Sequence, residues 1–207
     1  MSGCVTATGD DVDACRDRLD SVRAGLRSAR YLDELCRMRC APTLLDPELD
    51  LWPNAKEITE SFAAFEAARR HLHHWIRLPA LCVVVGDGAR PRTAATFAVR
   101  TPWHVLSVDP ALRAKTAYDK IRRLEVIPRR VEDVEVRRFG TPWRVVVVAV
   151  HSHAPLEAAL DKFQGRTRSV VAMPCCRPQR VGREPDAEYR DPGVWSPHNV
   201  VRIWKGA

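Results

Sequence analysis

Four short stretches of this 207-residue chain carry residue types suited to chemistry, and each closes an apolar run. Gly86-Asp87-Gly88 follows LCVVV, Asp109 follows HVLSV, His151-Ser152-His153 follows RVVVVAV, and Cys175-Cys176 follows SVVAMP. Glycines at such a place allow backbone angles closed to other residues and let a ligand approach the main chain. Pro91 suits the first turn of a following helix, whose free N–H groups would point towards that ligand. Asp109 stands 22 residues (109 − 87) beyond Asp87, the separation at which an acid accepts hydrogen bonds from ribose hydroxyls.

Gly86, Asp87, Gly88 and Asp109 are therefore the candidate cofactor-binding set. A dinucleotide fingerprint would want a third glycine near position 91, where this chain has Pro91. S-adenosylmethionine has no pyrophosphate, so a two-glycine turn with a ribose-binding acid suits it better than NAD. The plainer reading is that Asp87 caps a helix and Asp109 opens a turn before Pro110.

His151, His153, Cys175 and Cys176 form the candidate catalytic set, and three chemistries compete for it. A histidine can act as general base near neutral pH. A thiolate can attack a pyrimidine ring if nearby cations lower its pKa. Imidazole and thiolate can also bind zinc, although contiguous cysteines lack the usual two-residue gap. A zinc nucleobase deaminase wants H-x-E and P-C-x-x-C, and His153 stands where the glutamate belongs. No metal ligands are assigned on this reading. The plainer alternative is that the cysteines are small buried hydrophobes and His151 bonds a loop.

These groups meet only if the right elements hold them. The runs 81–85, 104–108, 124–127, 144–150 and 169–173 are short and nearly continuous in β-branched residues, as in parallel strands buried on both faces. Between them, PRTAATFAVR, ALRAKTAYDK and APLEAALDKF can form crossover helices. Strand–helix alternation predicts an α/β fold, a doubly wound and mostly parallel sheet. In the order 3-2-1-4-5 the fourth and fifth strand ends would be neighbours. Residues 199–205 read as a final strand, antiparallel and near an edge. Thr-Pro-Trp at 101–103 and at 141–143 precedes a strand each time, which predicts a tryptophan anchoring each strand start.

Residues 1–79 read as a helical N-terminal extension before a domain over 80–207. Apolar spacing predicts helices over 10–38 and from Asn54 to the break at Pro79. The extension would cover a sheet edge or contact a partner.

The stretches VVVVAVHSHAPLEAAL and SVVAMPCC, with VVVGDG and SVDP, resemble a subgroup of class I S-adenosylmethionine-dependent methyltransferases. The subgroup includes the tRNA acceptor-stem 2′-O-methyltransferases and related methyltransferase-like proteins. The resemblance spans roughly residues 81–176. It implies a Rossmann-like methyltransferase domain, cofactor contacts from Gly86, Asp87, Gly88 and Asp109, and an acceptor site near His151, His153, Cys175 and Cys176. The chain departs from the pattern in having Ser152-His153-Ala154 where Cys-Gly is usual, and Arg90-Pro91-Arg92 in the glycine turn. A catalytically inactive module on the same fold, binding nucleic acid or protein, is the alternative.

Charge bears on the partner. Of the formal charge of +7, residues 1–80 contribute 11 basic and 13 acidic side chains and residues 81–207 contribute 22 and 13, or −2 and +9. A basic second half fits a polyanion such as RNA, because Lys and Arg contacts to phosphate release counterions. Arg90, Arg92, Arg122, Arg123, Arg177 and Arg180 are the candidate nucleic-acid contacts, with Trp195 and His198 able to stack on bases. The plainer reading is a solvated arginine-rich surface. Seven irregularly spaced cysteines and no export signal predict reduced thiols in an intracellular, cytoplasmic or nuclear protein.

Overall fold

The computed structural model describes residues 28–136, 142–176, 179 and 181–207. The five apolar runs form strands β1 (Leu81–Val85), β2 (His104–Val108), β3 (Leu124–Ile127), β4 (Arg144–Val150) and β5 (Thr167–Met173). Two more follow, β6 (Ala187–Arg190) and β7 (Val200–Lys205), and the seven make one sheet in the order β3-β2-β1-β4-β5-β7-β6. The first five are parallel, and β7 runs antiparallel to both β5 and β6. The fold is a doubly wound, Rossmann-like α/β sheet. The 3-2-1-4-5 order and the antiparallel final strand are as the sequence predicts. β7 lies one strand in from the edge, because β6 occupies the edge itself.

The inner strands β1, β4 and β5 are apolar on both sides because both faces of the sheet are covered there. Cys82, Val84, Val146, Val148, Val171 and Met173 enter one core with the helices that precede the sheet and α4 (Arg92–Arg100). Val83, Val85, Val147, Ala149, Val170 and Ala172 enter the other, beneath α5 (Leu156–Lys162) and the segment around Val131 and Val134. Successive strand residues point to opposite faces, so a run such as Val-Val-Val-Val serves both cores at once.

Before the sheet come α1 (Arg30–Arg37), α2 (Ala41–Leu44) and α3 (Ala55–His71). Asn54 starts α3 by accepting Glu57 N–H at 3.2 Å, the cap its side chain is suited to make. α3 does not guard an edge. It lies on the sheet face over β4, β5 and β7 and packs beside α4, with Phe65 meeting Phe97 edge-on at 5.4 Å. Thr59, Glu60 and Ser61 are buried along with its apolar face. The part of the predicted 10–38 helix before residue 28 lies outside the described residues.

Two local expectations change. ALRAKTAYDK makes only a 3₁₀ turn, Thr116–Lys120, preceded by a turn in which Asp109 Oδ1 accepts Ala111 N–H. The two Thr-Pro-Trp copies also part company. Trp103 is fully buried, stacks on Phe97 at 5.8 Å and donates Nε1–H to the Trp75 carbonyl, whereas Trp143 is 55% exposed and carries the Arg166 guanidinium 4.1 Å above its ring. The Trp143 ring therefore anchors no strand, and the residue holds Thr167 through its carbonyl alone: Trp143→Ala is expected to change unfolding free energy in urea by less than about 0.5 kcal/mol. No helix among the described residues is long and apolar enough to cross a membrane.

Candidate functional site

β1 lies between β2 and β4, and the chain leaves β1 through α4 on one face and β4 through α5 on the other. Their carboxyl ends therefore part to leave a crevice, the place where open α/β sheets bind ligands. A cleft of about 620 Å³ opens there, lined among others by Gly86, Gly88, Asp109, Glu60, His151 and His153. The volume is that of an ordinary small-molecule site.

Gly86 and Gly88 both have left-handed backbones, φ +71° and +76°. A Cβ at Gly86 would come within 2.1 Å of the buried Ser152 hydroxyl, so this glycine lets the β1 turn pack on the segment after β4. At Gly88 a Cβ would meet only the movable end of Arg92 at 3.4 Å, so the main chain there is open to the cleft.

The two acids divide. Asp87 is buried and turned away from the cleft: its carboxylate accepts Thr93 N–H, Ala94 N–H and the Ser107 hydroxyl at 3.0–3.1 Å. Burial pushes its carboxyl up, against the pull of Arg92 and those backbone donors. It caps α4, as the plainer sequence reading has it, and does not line the cleft. Asp109 is half-buried and does line the cleft. Its Oδ2 accepts Gly88 N–H at 3.0 Å and its Oδ1 accepts Ala111 N–H at 2.7 Å, which ties the glycine turn to the end of β2. Each oxygen keeps one further lone pair for a hydroxyl donor.

His151 ends β4 in a left-handed conformation, φ +48°, with its N–H bonded to the Met173 carbonyl at the end of β5. Its Nδ1 lies 3.2 Å from Oε1 of Glu60, and its Nε2 2.8 Å from the His198 carbonyl. Both partners offer acceptor oxygens, an arrangement that suits the doubly protonated ring. Burial alone would lower the His151 pKa, but Glu60 and the His198 carbonyl outweigh it and hold the pKa above the ordinary value. Burial would likewise raise Glu60, but His151 and Lys56 (Nζ at 3.0 Å) hold it below the usual carboxylate range. An imidazolium with both N–H groups engaged has no lone pair for a proton.

His153, Cys175 and Cys176 gather beside it. Cys176 Sγ is 3.1 Å from His153 Nε2 and 3.7 Å from Cys175 Sγ, which in turn donates to the His151 carbonyl at 3.6 Å. The contiguous thiols do not diverge, because the chain turns sharply after Pro174 while the buried Gln179 amide holds the Ser152 carbonyl at 2.7 Å.

The basic residues are scattered by comparison. Arg92 reaches the cleft but is tied to Glu57 at 2.5 Å and to the Asp87 carbonyl. Arg90 is ion-paired with Asp50 at 3.0 Å. Arg122 and Arg123 precede β3, at the opposite end of the sheet from the cleft, and Arg123 bonds the Ala98 carbonyl. They are not part of this site. Arg177 and Arg180 lie outside the described residues. Trp195 is engaged structurally, donating Nε1–H to the Ser28 carbonyl, while exposed His198 stands edge-on to His151.

Sequence reasoning missed Glu60, Lys56 and Glu57, which α3 brings in from outside the strand–helix repeat. A signal existed in the Lys56–Glu60 spacing of four. A polar triplet, Thr59-Glu60-Ser61, in a helix otherwise read as apolar on one side also marks the spot, and Ser61 bonds Thr93 of α4 at 3.0 Å.

Neither a protein-family model nor a curated protein sequence matches the chain. Among solved structures it is similar to a mutant of MtNAS, with 12% identity over 89% of this chain and 76% of that one and a TM-score of 0.43. It is also similar to the MycE methyltransferase of the mycinamycin biosynthetic pathway, in complex with Mg and SAH (14% identity, TM-score 0.41), and to coclaurine N-methyltransferase bound to N-methylheliamine and SAH (12%, 0.39). The chain spans 49% and 45% of the length of the latter two and aligns over 74% and 69% of itself.

Proposed function

We propose that the protein is an S-adenosylmethionine-dependent methyltransferase. The observation that carries this reading is the meeting of Gly86, Gly88 and Asp109 in one cleft at the switch point of a doubly wound sheet. The cleft's charges fit the cofactor. Lys56, Arg92, Arg130 and the His151 imidazolium face Glu57, Glu60, Asp109 and Glu132. Balanced signs suit a ligand bearing a sulfonium, an ammonium and a carboxylate better than a pyrophosphate, which wants an excess of cations.

Asp109 would take the ribose hydroxyls and the exposed main chain at Gly88 the close approach of the ligand. Bound there, the cofactor supplies an electrophilic methyl group. The chain's own part is to orient the acceptor at the His151–His153 rim. The imidazolium is clamped between Glu60 and the His198 carbonyl, so it fixes the loop from Ser196 to Asn199 against the end of β4. The acceptor's proton then leaves to a group other than His151, or to water.

RNA is the acceptor class we favour, on the net charge of +9 over residues 81–207 and on Arg130, exposed at the cleft with no ion pair among the described residues. Titration of the purified chain with S-adenosylmethionine in a calorimeter tests the reading. Saturable binding of one ligand per chain, in the micromolar range, is expected. No heat for the cofactor together with salt-sensitive RNA binding would assign the chain as a binding module instead.

A further inference from the structure

We infer that His153, Cys175 and Cys176 form a binding site for a thiophilic divalent ion, zinc above all. One ligand atom from each of the three lies within 4.8 Å of the other two. Two thiolates sharing a tetrahedral zinc, at Zn–S of about 2.3 Å, stand about 3.8 Å apart, and a thiolate and an imidazole nitrogen about 3.5 Å. The sulfurs here are 3.7 Å apart, and Cys176 Sγ is 3.1 Å from His153 Nε2. The first separation already matches. The second needs the exposed His153 ring to withdraw by a few tenths of an ångström, replacing a hydrogen bond to the thiol by a bond to the ion.

The frame that holds the donors is largely built. Cys175 and Cys176 follow Pro174 at the end of β5, and His153 sits one residue past Ser152. Ser152 is fixed from both sides, its carbonyl by the Gln179 amide and its hydroxyl by Ala154 N–H at 3.0 Å. Two sulfurs with one imidazole select zinc over magnesium or calcium, which take oxygen donors.

Binding would form two Zn–S bonds and one Zn–N bond in place of water on the ion. The two thiol protons go to solvent, His153 coordinates as the neutral ring, and no electron moves. Among the described residues no fourth histidine, cysteine or carboxylate joins the group, so a fourth position stays open for water or a substrate atom, as in catalytic zinc sites. His153 also lines the cleft, which puts that position at the cleft's rim. The inference stands apart from the cofactor reading, since it uses neither Asp109 nor the glycine turn.

The test uses the full chain, kept reduced, stripped with a chelator and titrated with Co²⁺, then with Zn²⁺ in competition. Free thiols are counted first to confirm that both cysteines are reduced. One cobalt per chain is expected, with the thiolate-to-cobalt charge-transfer band and the intense visible bands of a tetrahedral ion, both abolished by one equivalent of zinc. Cys175→Ser/Cys176→Ser should abolish the bands. His153→Ala should weaken affinity by at least about 100-fold, beyond the loss on removing an outer-shell partner. Cys36→Ser/Cys40→Ser should leave the spectrum unchanged. Absence of the bands in the reduced wild-type chain overturns the inference, and so does their survival in the Cys175/Cys176 double variant. S-adenosylmethionine binding, measured on the same metal-free sample, decides the cofactor reading separately.

Discussion

Asp109→Ala is expected to weaken S-adenosylmethionine binding by about 10- to 100-fold, the worth of one or two hydrogen bonds to a charged group at roughly 1.5–3 kcal/mol. The carboxylate has two tasks. It holds Gly88 N–H and Ala111 N–H, and so shapes the turn, and it offers its remaining lone pairs to the cleft. Alanine removes both, so its melting temperature should also fall by a few degrees. Asp109→Asn separates the tasks. The amide oxygen can still accept from Gly88, but the amide nitrogen cannot accept from Ala111, so the turn keeps one of its two hydrogen bonds and the melting temperature should fall less than in the alanine variant. The amide also loses the charge and, on its nitrogen side, the acceptor. If the asparagine variant binds as weakly as the alanine variant, the carboxylate is a cofactor contact. Wild-type affinity in the asparagine variant would mean that Asp109 only builds the turn, and the cofactor assignment would lose its acid.

β1, β4 and β5 were legible in the sequence because burial on both faces leaves a nearly unbroken apolar, β-branched run, whereas β2 and the edge strand β3, of which only Ile127 is buried, gave a weaker form of the same signal. β6, Ala-Glu-Tyr-Arg, gave none: it is an edge strand with alternating exposure, held by pairing to β7. At 111–120 the composition suits a helix, yet the chain turns after Asp109 and forms only a 3₁₀ turn.

At the site, sequence found what sits at strand ends and missed what a helix delivers. Gly86, Gly88, Asp109, His151 and His153 line the cleft as their positions after apolar runs implied. Asp87 looks identical in sequence to a ligand-facing acid, and only the three donors around its carboxylate show that it points inward. Adjacency of Cys175 and Cys176 argued against convergence, yet the turn after Pro174 brings the sulfurs together. Glu60 carried only the local hints of its spacing from Lys56 and its polar neighbours. Its partner His151 is 91 residues away in sequence (151 − 60), and nothing local announces a contact made by tertiary packing.

That same pair carries the second large effect. Glu60→Gln is expected to cost about 3 kcal/mol of stability near pH 5.5, because removing one partner of a buried ion pair leaves the other charge poorly compensated. Glu60 and His151 have side chains only 4% and 18% exposed, so solvent does little to screen the pair, whereas Lys56 at 40% contributes less. The pH dependence identifies the partner. His151 is raised in the folded chain, so its contribution is complete below the unfolded histidine value of about 6.5 and is lost as pH rises through its higher folded value. Glu60 is lowered, so its contribution is complete above the unfolded glutamate value of about 4.3 and is lost as pH falls through its lower folded value. The gap between wild type and variant should therefore be widest between about pH 4.3 and 6.5 and should narrow on the alkaline side, with Lys56 sustaining a remnant up to its own deprotonation. Urea unfolding of both chains at pH 5.5 and pH 9 reads the two gaps. Equal gaps would show that Glu60 acts through Lys56 alone, and would leave His151 a ring nitrogen with a lone pair for general-base work.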